Sequence, residues 1–93
     1  MSSDCPPLVK YILTDHAQQE MSRRDISEQD IQSILSNPQQ TEWVRIGRCV
    51  YQSKIVIGDA KTQLLRVFVD VDRELPEVVT AYRTSKISKY WRQ

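Results

Sequence analysis

The residue best suited to acid/base chemistry near neutral pH is His16, the one histidine of this 93-residue chain. It lies two residues after Thr14, close to the predicted start of a helix. This placement makes His16 a candidate general acid or base. The alternative is that a lone histidine, with no second base beside it in the sequence, packs against its neighbours and makes a single hydrogen bond.

Arg23 and Arg24 follow at the predicted end of the same helix. A guanidinium group is a planar fork that can bind a phosphate through two hydrogen bonds. Arg24 lies two helical turns from His16, so the two side chains could share a site if both lean the same way. The alternative is that cations at a helix C-terminus simply interact favourably with the helix dipole.

Thr80 and Tyr82 alternate with Val79 and Ala81 in a segment typical of a β-strand. The alternation predicts that the two hydroxyl side chains share one face and that the small apolar side chains lie under the helices. Such a face can hold a phosphate or a ribose, and a tyrosine can donate a proton or stack on a base. An ordinary half-exposed strand is the alternative, because Thr and Tyr favour strands in any case.

The last eleven residues carry four basic side chains and no acid, with Arg83, Lys86 and Lys89 followed by Tyr90 and Trp91. Basic groups neutralise phosphates, and aromatic faces stack on unpaired bases, so the mixture suits single-stranded RNA. The two aromatic side chains could instead dock against the domain and tie down the C-terminus.

The pattern predicts one α+β domain that places two helices on one face of a four-stranded antiparallel sheet and ends in a short helical tail. A cap at Thr14 and an approximate capping box at Ser27 predict helices over residues 15–24 and 28–36. Alternation of apolar and polar residues predicts strands over 42–46, 50–57, 64–72 and 78–83. We expect a flexible arm over 1–7, a short strand or an extended lead-in over 8–13, and a helical turn or two over 85–91.

The sequence lacks the motifs and segments typical of several classes of protein. There is no Gly-rich phosphate loop and no dinucleotide, zincin or serine-hydrolase motif, so we expect no cofactor. No apolar run is long enough to span a membrane, and no secretory signal is recognisable, which predicts a cytoplasmic protein. In a reducing compartment Cys5 and Cys49 are expected to be free thiols. The two cysteines and His16 show no spacing typical of zinc ligands, such as a C-x-x-C pair, which argues against a zinc site.

Several short motifs together resemble a widespread bacterial family, the domain of unknown function 4258, over about residues 11–91. They are Leu13-Thr14-Asp15-His16-Ala17, Arg24-Asp25-Ile26-Ser27, Asn37-Pro38, Val50-Tyr51 and Val79-Thr80-Ala81-Tyr82. Many members of that family have glycine after the motif arginine, where this chain has Asp25. The family is grouped with RelE-like ribonuclease toxins, whose two helices precede an antiparallel sheet.

The resemblance implies metal-independent cleavage of RNA, and possible neutralisation by an antitoxin-like protein partner. Carried over to this chain, it makes His16 the acid/base group, Arg24 the phosphate ligand, and Thr80 and Tyr82 the lining of the site. Lys54 on the second predicted strand is a further candidate for RNA binding, beside Arg83, Lys86 and Lys89. The alternative is a non-catalytic protein-interaction or RNA-binding module with the same fold, because fold does not fix function.

Overall fold

The computed structural model describes residues 5–93, which form an α+β domain of three helices and one five-stranded sheet. The helices are α1 (Asp15–Arg24), α2 (Glu28–Ser36) and α3 (Ile87–Tyr90). The strands are β1 (Ile12–Leu13), β2 (Gln40–Arg45), β3 (Arg48–Ile57), β4 (Lys61–Asp70) and β5 (Glu77–Thr84).

Both long helices begin and end at the predicted residues. The Thr14 hydroxyl accepts a hydrogen bond from the amide of Ala17, and the Ser27 hydroxyl accepts one from the amide of Asp30. Each cap satisfies an amide that has no partner within its own helix. The helical hairpin is therefore specified by local capping chemistry, and its prediction is confirmed.

The sheet has the strand order β1-β5-β4-β3-β2, one strand more than predicted. Strands β2 to β5 pair antiparallel in chain order, as expected. The additional strand is β1, which runs parallel to β5 and pairs Ile12 with Glu77 and Leu13 with Val78. The predicted strands also differ from the observed ones by up to three residues at their ends.

Helices α1 and α2 cover one face of the sheet, which we call the core face. Alternate residues of β4 (Leu65, Val67 and Val69) are buried there with side chains of both helices, as the alternation predicts. On β5 the prediction is wrong in detail. A β-bulge opposite Phe68 and Val69 shifts the register, so that Val78 rather than Val79 is buried with Ala81.

The C-terminal segment folds back across part of the opposite face, which we call the far face. The amide of Gln52 donates hydrogen bonds to Gln40 (2.9 Å) and to the carbonyl of Tyr90 (3.2 Å), and Gln52 is only 1% exposed. The Arg92 guanidinium reaches the carbonyl of Thr41. This segment thus buries polar side chains in the middle of the far face.

The two cysteines form a disulfide bond between Cys5 and Cys49, so the expectation of free thiols is wrong. The bond joins the N-terminal arm to β3 across 44 positions of sequence. Pro6 accepts a hydrogen bond from the Tyr51 hydroxyl at 2.5 Å, which holds the arm a second time. The predicted flexible arm is therefore fixed from residue 5 onward, and residues 1–4 lie outside the described part of the chain.

Within residues 5–93, none of the helices combines the length and the apolar character needed to cross a membrane.

Candidate functional site

An open cavity of about 690 Å³ lies at the edge of the sheet beside β5 and the end of α1. Beyond its short pairing with β1, the outer edge of β5 has no strand neighbour among the described residues, and α1 packs along it instead. The cavity is lined by three arginines, one acid and two polar side chains: Arg23, Arg24, Arg83, Asp25, Gln63 and Tyr82. It is therefore a basic concavity open to solvent.

Arg24 is held at this cavity by two partners. One Nη atom donates to the carbonyl of Ala81 on β5 at 2.7 Å, and the other lies 2.7 Å from a carboxylate oxygen of Glu20 one turn back on α1. The same oxygen contacts Arg23 at 2.5 Å. One carboxylate thus serves two guanidinium groups, which leaves positive charge at the cavity wall.

Arg83 reaches from β5 to the end of α1. Its guanidinium donates to the carbonyls of Arg24 at 2.6 Å and of Asp25 at 3.2 Å. The carbonyls at a helix end carry partial negative charge, so these contacts suit a cation without neutralising it. Arg83 therefore fixes the helix end and contributes a net positive charge to the cavity.

Asp25 is the residue at which this chain departs from the glycine that the resemblance of its motifs led us to expect. It caps the C-terminus of α1 with φ +56°, in the left-handed region that glycine adopts most easily and that Asp tolerates better than most residues. The departure is therefore compatible with the backbone. Its carboxylate is exposed at the rim of the cavity and lowers the net positive charge there.

His16 and Thr80 do not line this cavity. His16 is exposed on α1, eight residues before Arg24, which corresponds to about 12 Å along the helix axis. Thr80 pairs with Phe68 and lies on the far face. Of the four residues expected to be catalytic, the structure brings together Arg24 and Tyr82, while His16 lies near the opposite end of α1. The catalytic roles of all four stay predictions.

The lysines expected to bind nucleic acid lie on or beside the C-terminal segment. The ammonium of Lys54 is 4.2 Å from the ring centre of Trp91, and that of Lys89 is 5.4 Å from the ring centre of Tyr90. Lys86 is exposed at the start of α3. The docking interpretation of Trp91 therefore agrees with the structure, and basic groups nevertheless remain accessible around the docked rings.

Sequence reasoning missed Arg66, which lies on the far face of β4 and is only 8% exposed. Its Nε donates to the side-chain oxygen of Gln52 at 2.9 Å, and its Nη1 donates to the hydroxyl of Tyr82 at 2.7 Å. The ring of Tyr90 lies against the guanidinium at 4.2 Å. The available signal was an arginine at a polar position in an otherwise apolar strand, but its burial depends on the C-terminal segment folding back.

The two tyrosines beside Arg66 differ in their acidity. Burial raises the pKa of Tyr82, against the opposing effect of its hydrogen bond from Arg66. The neighbouring Tyr82 hydroxyl lowers the pKa of Tyr90, and the charges of Lys89 and Arg66 act in the same direction. Tyr82 therefore keeps its proton to a higher pH than Tyr90 does.

The side chains of residues 5–93 include no group of three or more His, Cys, Asp or Glu that could hold a metal ion. The arrangement at the cavity is instead one of guanidinium and phenol groups. Such groups can bind an anion and donate hydrogen bonds to it.

Comparison with known families identifies a match over residues 13–83 to a family described as a domain of unknown function, DUF4258. The chain belongs to this family. The match includes His16, Arg24 and the β5 residues of the cavity, and it ends at Arg83. No curated protein and no solved structure matches the chain. The membership confirms the resemblance read from the short motifs.

Proposed function

We propose that this DUF4258 domain binds RNA through the basic cavity at the edge of β5. The observation that carries the proposal is the convergence of Arg24 and Arg83, from different elements, on one open cavity that Tyr82 also lines. Guanidinium groups bind phosphates with good geometry, and a phenol ring can stack on an unpaired base. A volume of about 690 Å³ is in the range of small-molecule and nucleotide sites.

The uneven neutralisation of the arginines supports the same proposal. Arg23 and Arg24 share Glu20, and the Arg83 guanidinium donates to backbone carbonyls. A polyanion entering the cavity would complete the charge balance that the protein leaves open. Its affinity should therefore fall steeply with salt concentration.

The stronger form of the proposal is metal-independent cleavage of RNA, as in RelE-like ribonuclease toxins, with neutralisation by an antitoxin-like partner. It assigns proton transfer to His16 and binding of the scissile phosphate to Arg24. It requires the two groups to act on one RNA across about 12 Å of helix. RNA binding at the cavity does not depend on this requirement, and it is the form that the geometry supports better.

The rival is a protein-interaction module in which the same arginines only stabilise the fold. The contacts of Arg24 with Ala81 and Glu20, and of Arg83 with the end of α1, favour it, because they are structural bonds in their own right. RNA binding distinguishes the two functions, since a purely structural role does not require affinity for RNA.

The test is fluorescence anisotropy with a labelled single-stranded RNA of about ten nucleotides, repeated over a range of salt concentrations. The most informative variant is Arg23→Gln, because the Arg23 side chain is 67% exposed and pairs only with Glu20 among the described residues. We expect it to weaken binding severalfold without changing the melting temperature. Arg24→Gln and Arg83→Gln should weaken binding about tenfold or more.

The matched control is Lys10→Gln, which removes one exposed positive charge beside a different cavity. It should leave RNA affinity nearly unchanged. Equal losses in the control and in the cavity variants would indicate non-specific attraction and would contradict a site at β5. Gel analysis of the same RNA, with and without ribosomes, tests cleavage, which His16→Ala and Arg24→Ala should each abolish.

A further inference from the structure

Arg66 has an unusual environment for an arginine that is only 8% exposed. Burying a charged group is costly unless an opposite charge or sufficient hydrogen bonds compensate it. None of the ion pairs recorded within residues 5–93 involves Arg66. Its neighbours are instead an amide and three aromatic rings, which leaves its positive charge without an anion.

The hydrogen bonds of Arg66 use only part of its capacity. A guanidinium group has five N–H donors in a planar fork. In the described chain, Gln52 accepts from Nε and Tyr82 accepts from Nη1, and no acceptor is recorded for Nη2. Because no fully buried polar side-chain atom of the described residues lacks a partner, Nη2 must reach solvent. Two hydrogen bonds therefore hold the guanidinium in place, and Nη2 keeps N–H donors that no acceptor of the described residues uses.

The aromatic rings around this guanidinium form an ordered cluster. Their centres lie 5.3 Å (Phe68), 5.8 Å (Tyr82) and 4.2 Å (Tyr90) from the guanidinium carbon. Phe68 and Tyr82 stack at 6.1 Å, and Tyr90 meets Tyr82 edge-on at 6.4 Å. All three rings are only partly buried. Partly exposed aromatic rings beside a cation are the elements that bind a nucleotide of a single strand by stacking and charge together.

The cluster is continuous with the basic cavity through Tyr82. This side chain lines the cavity beside Arg24 and Arg83, and its hydroxyl accepts from Arg66. A chain bound in the cavity would therefore pass over Tyr82 onto the far face. There it would meet Nη2 of Arg66 next.

We propose that Arg66 is a second phosphate-binding residue, which binds a backbone phosphate of single-stranded RNA while the adjoining base stacks on the aromatic cluster. The identification of RNA as the ligand rests on the proposed function, since it places successive phosphates of one strand in the cavity and at Arg66. The site itself is a preformed anion site and can be tested with phosphate alone.

The direct test is NMR of the arginine Nε–Hε signals of the wild-type domain during titration with inorganic phosphate and then with uridine 5′-monophosphate. The Arg66 signal is assigned in the wild type by triple-resonance correlation of its side chain with its backbone. We expect it to shift saturably with both probes, and more strongly with the nucleotide because the base adds stacking. An Arg66 signal that does not move with either probe would overturn the inference, and this measurement needs no destabilised variant.

The second test is RNA binding by Arg66→Gln, with Lys61→Gln as the control that removes one exposed charge from the same strand. We expect Arg66→Gln to bind about tenfold more weakly, Arg66→Lys to fall between it and the wild type, and Lys61→Gln to be unchanged. The RNA affinity of Arg66→Gln should fall less steeply with salt concentration than that of the wild type, by the amount expected for the loss of about one phosphate contact.

The outcomes separate this inference from the proposed function. If Arg66→Gln binds RNA like the wild type while Arg24→Gln and Arg83→Gln do not, the second site is refuted and the cavity stands. If the wild type binds no RNA, the proposed function fails, and the phosphate titration alone decides whether Arg66 is an anion site. If Arg66→Gln does not fold, the wild-type titration decides in the same way.

Discussion

Removing the disulfide between Cys5 and Cys49 should lower the stability of the domain substantially. The bond joins two buried side chains across 44 positions of sequence, and it closes a loop that contains both long helices and β2. The perturbation is the double substitution Cys5→Ala with Cys49→Ala, or reduction of the wild type. Both remove the covalent link and leave the arm held by non-covalent contacts, such as the hydrogen bond between Tyr51 and Pro6.

The magnitude follows from the length of that loop. In the chain-entropy treatment, opening a loop of this length in the unfolded state removes about 4 kcal/mol of stability at 25 °C. A chain of this size unfolds with an entropy of about 200 cal/mol/K, so the melting temperature should fall by about 20 °C. Residual structure in the unfolded chain reduces the effect, and about 10–20 °C is the expected range.

The assay is thermal unfolding followed by circular dichroism, with and without a reducing agent. The wild type should lose stability on reduction, whereas the double alanine variant should already be destabilised and should not respond to the reductant. A thiol reagent added to the denatured, unreduced wild type should detect no free thiol. Two titratable thiols in that sample, or a change in melting temperature below about 3 °C, would refute the reasoning.

Three further perturbations test the fold around the site. Burial raises the pKa of Tyr51 to about 12, above its value of about 10 in the unfolded chain. The free energy of unfolding should therefore fall by about 2–3 kcal/mol as the pH rises from 10 to 12. The variant Tyr51→Phe should lack this fall in alkaline denaturation. The hydrogen bond from Arg48 lowers the pKa of Asp70 from 3.8, so the stability that this pair contributes should be lost as the pH falls below about 3.8. Acid unfolding of Asp70→Asn should lack that component, and an unchanged acid transition would contradict it. Gly47 has φ +85°, and a Cβ there would collide with the Asp72 carboxylate. Gly47→Ala should therefore lower the free energy of unfolding in urea by about 1–3 kcal/mol. A Cβ at Gly58 would meet no atom, so Gly58→Ala should cost less.

The parts of the fold that depend on nearby residues were predictable from the sequence. Helices α1 and α2 begin at Thr14 and Ser27 because each cap hydroxyl bonds an amide three residues away. Strand alternation likewise predicted the buried face of β4, because successive side chains must point to opposite sides. These features are encoded within a few residues of where they occur.

The features that sequence reasoning missed depend on distant contacts. Strand β1 is only two residues long, and the sequence alone left open whether residues 8–13 form a strand, because β1 exists through pairing with Glu77 and Val78, more than sixty positions away. The bulge in β5 is a matter of register with β4 and leaves no local signal. The expectation of free thiols assumed a reducing compartment, which says nothing about whether two cysteines meet in space.

The residues of the candidate site likewise include some that were predictable from the sequence and some that were not. Arg24, Tyr82 and Arg83 were selected by residue type and position, and the fold brings them to one cavity. His16 was expected to lie alongside them, but residues eight positions apart on a rigid helix are separated by about 12 Å. Arg66 was not selected, because its importance comes from the C-terminal segment that packs against it.

The most direct test of the account is the affinity of the wild type and of Arg23→Gln, Arg24→Gln and Arg83→Gln for one single-stranded RNA at fixed salt, measured beside Lys10→Gln. We predict saturable, salt-sensitive binding that each of the three cavity variants weakens and the control leaves intact. Wild-type protein that is folded and binds no RNA at low salt, or cavity variants that bind as tightly as the wild type, would contradict it.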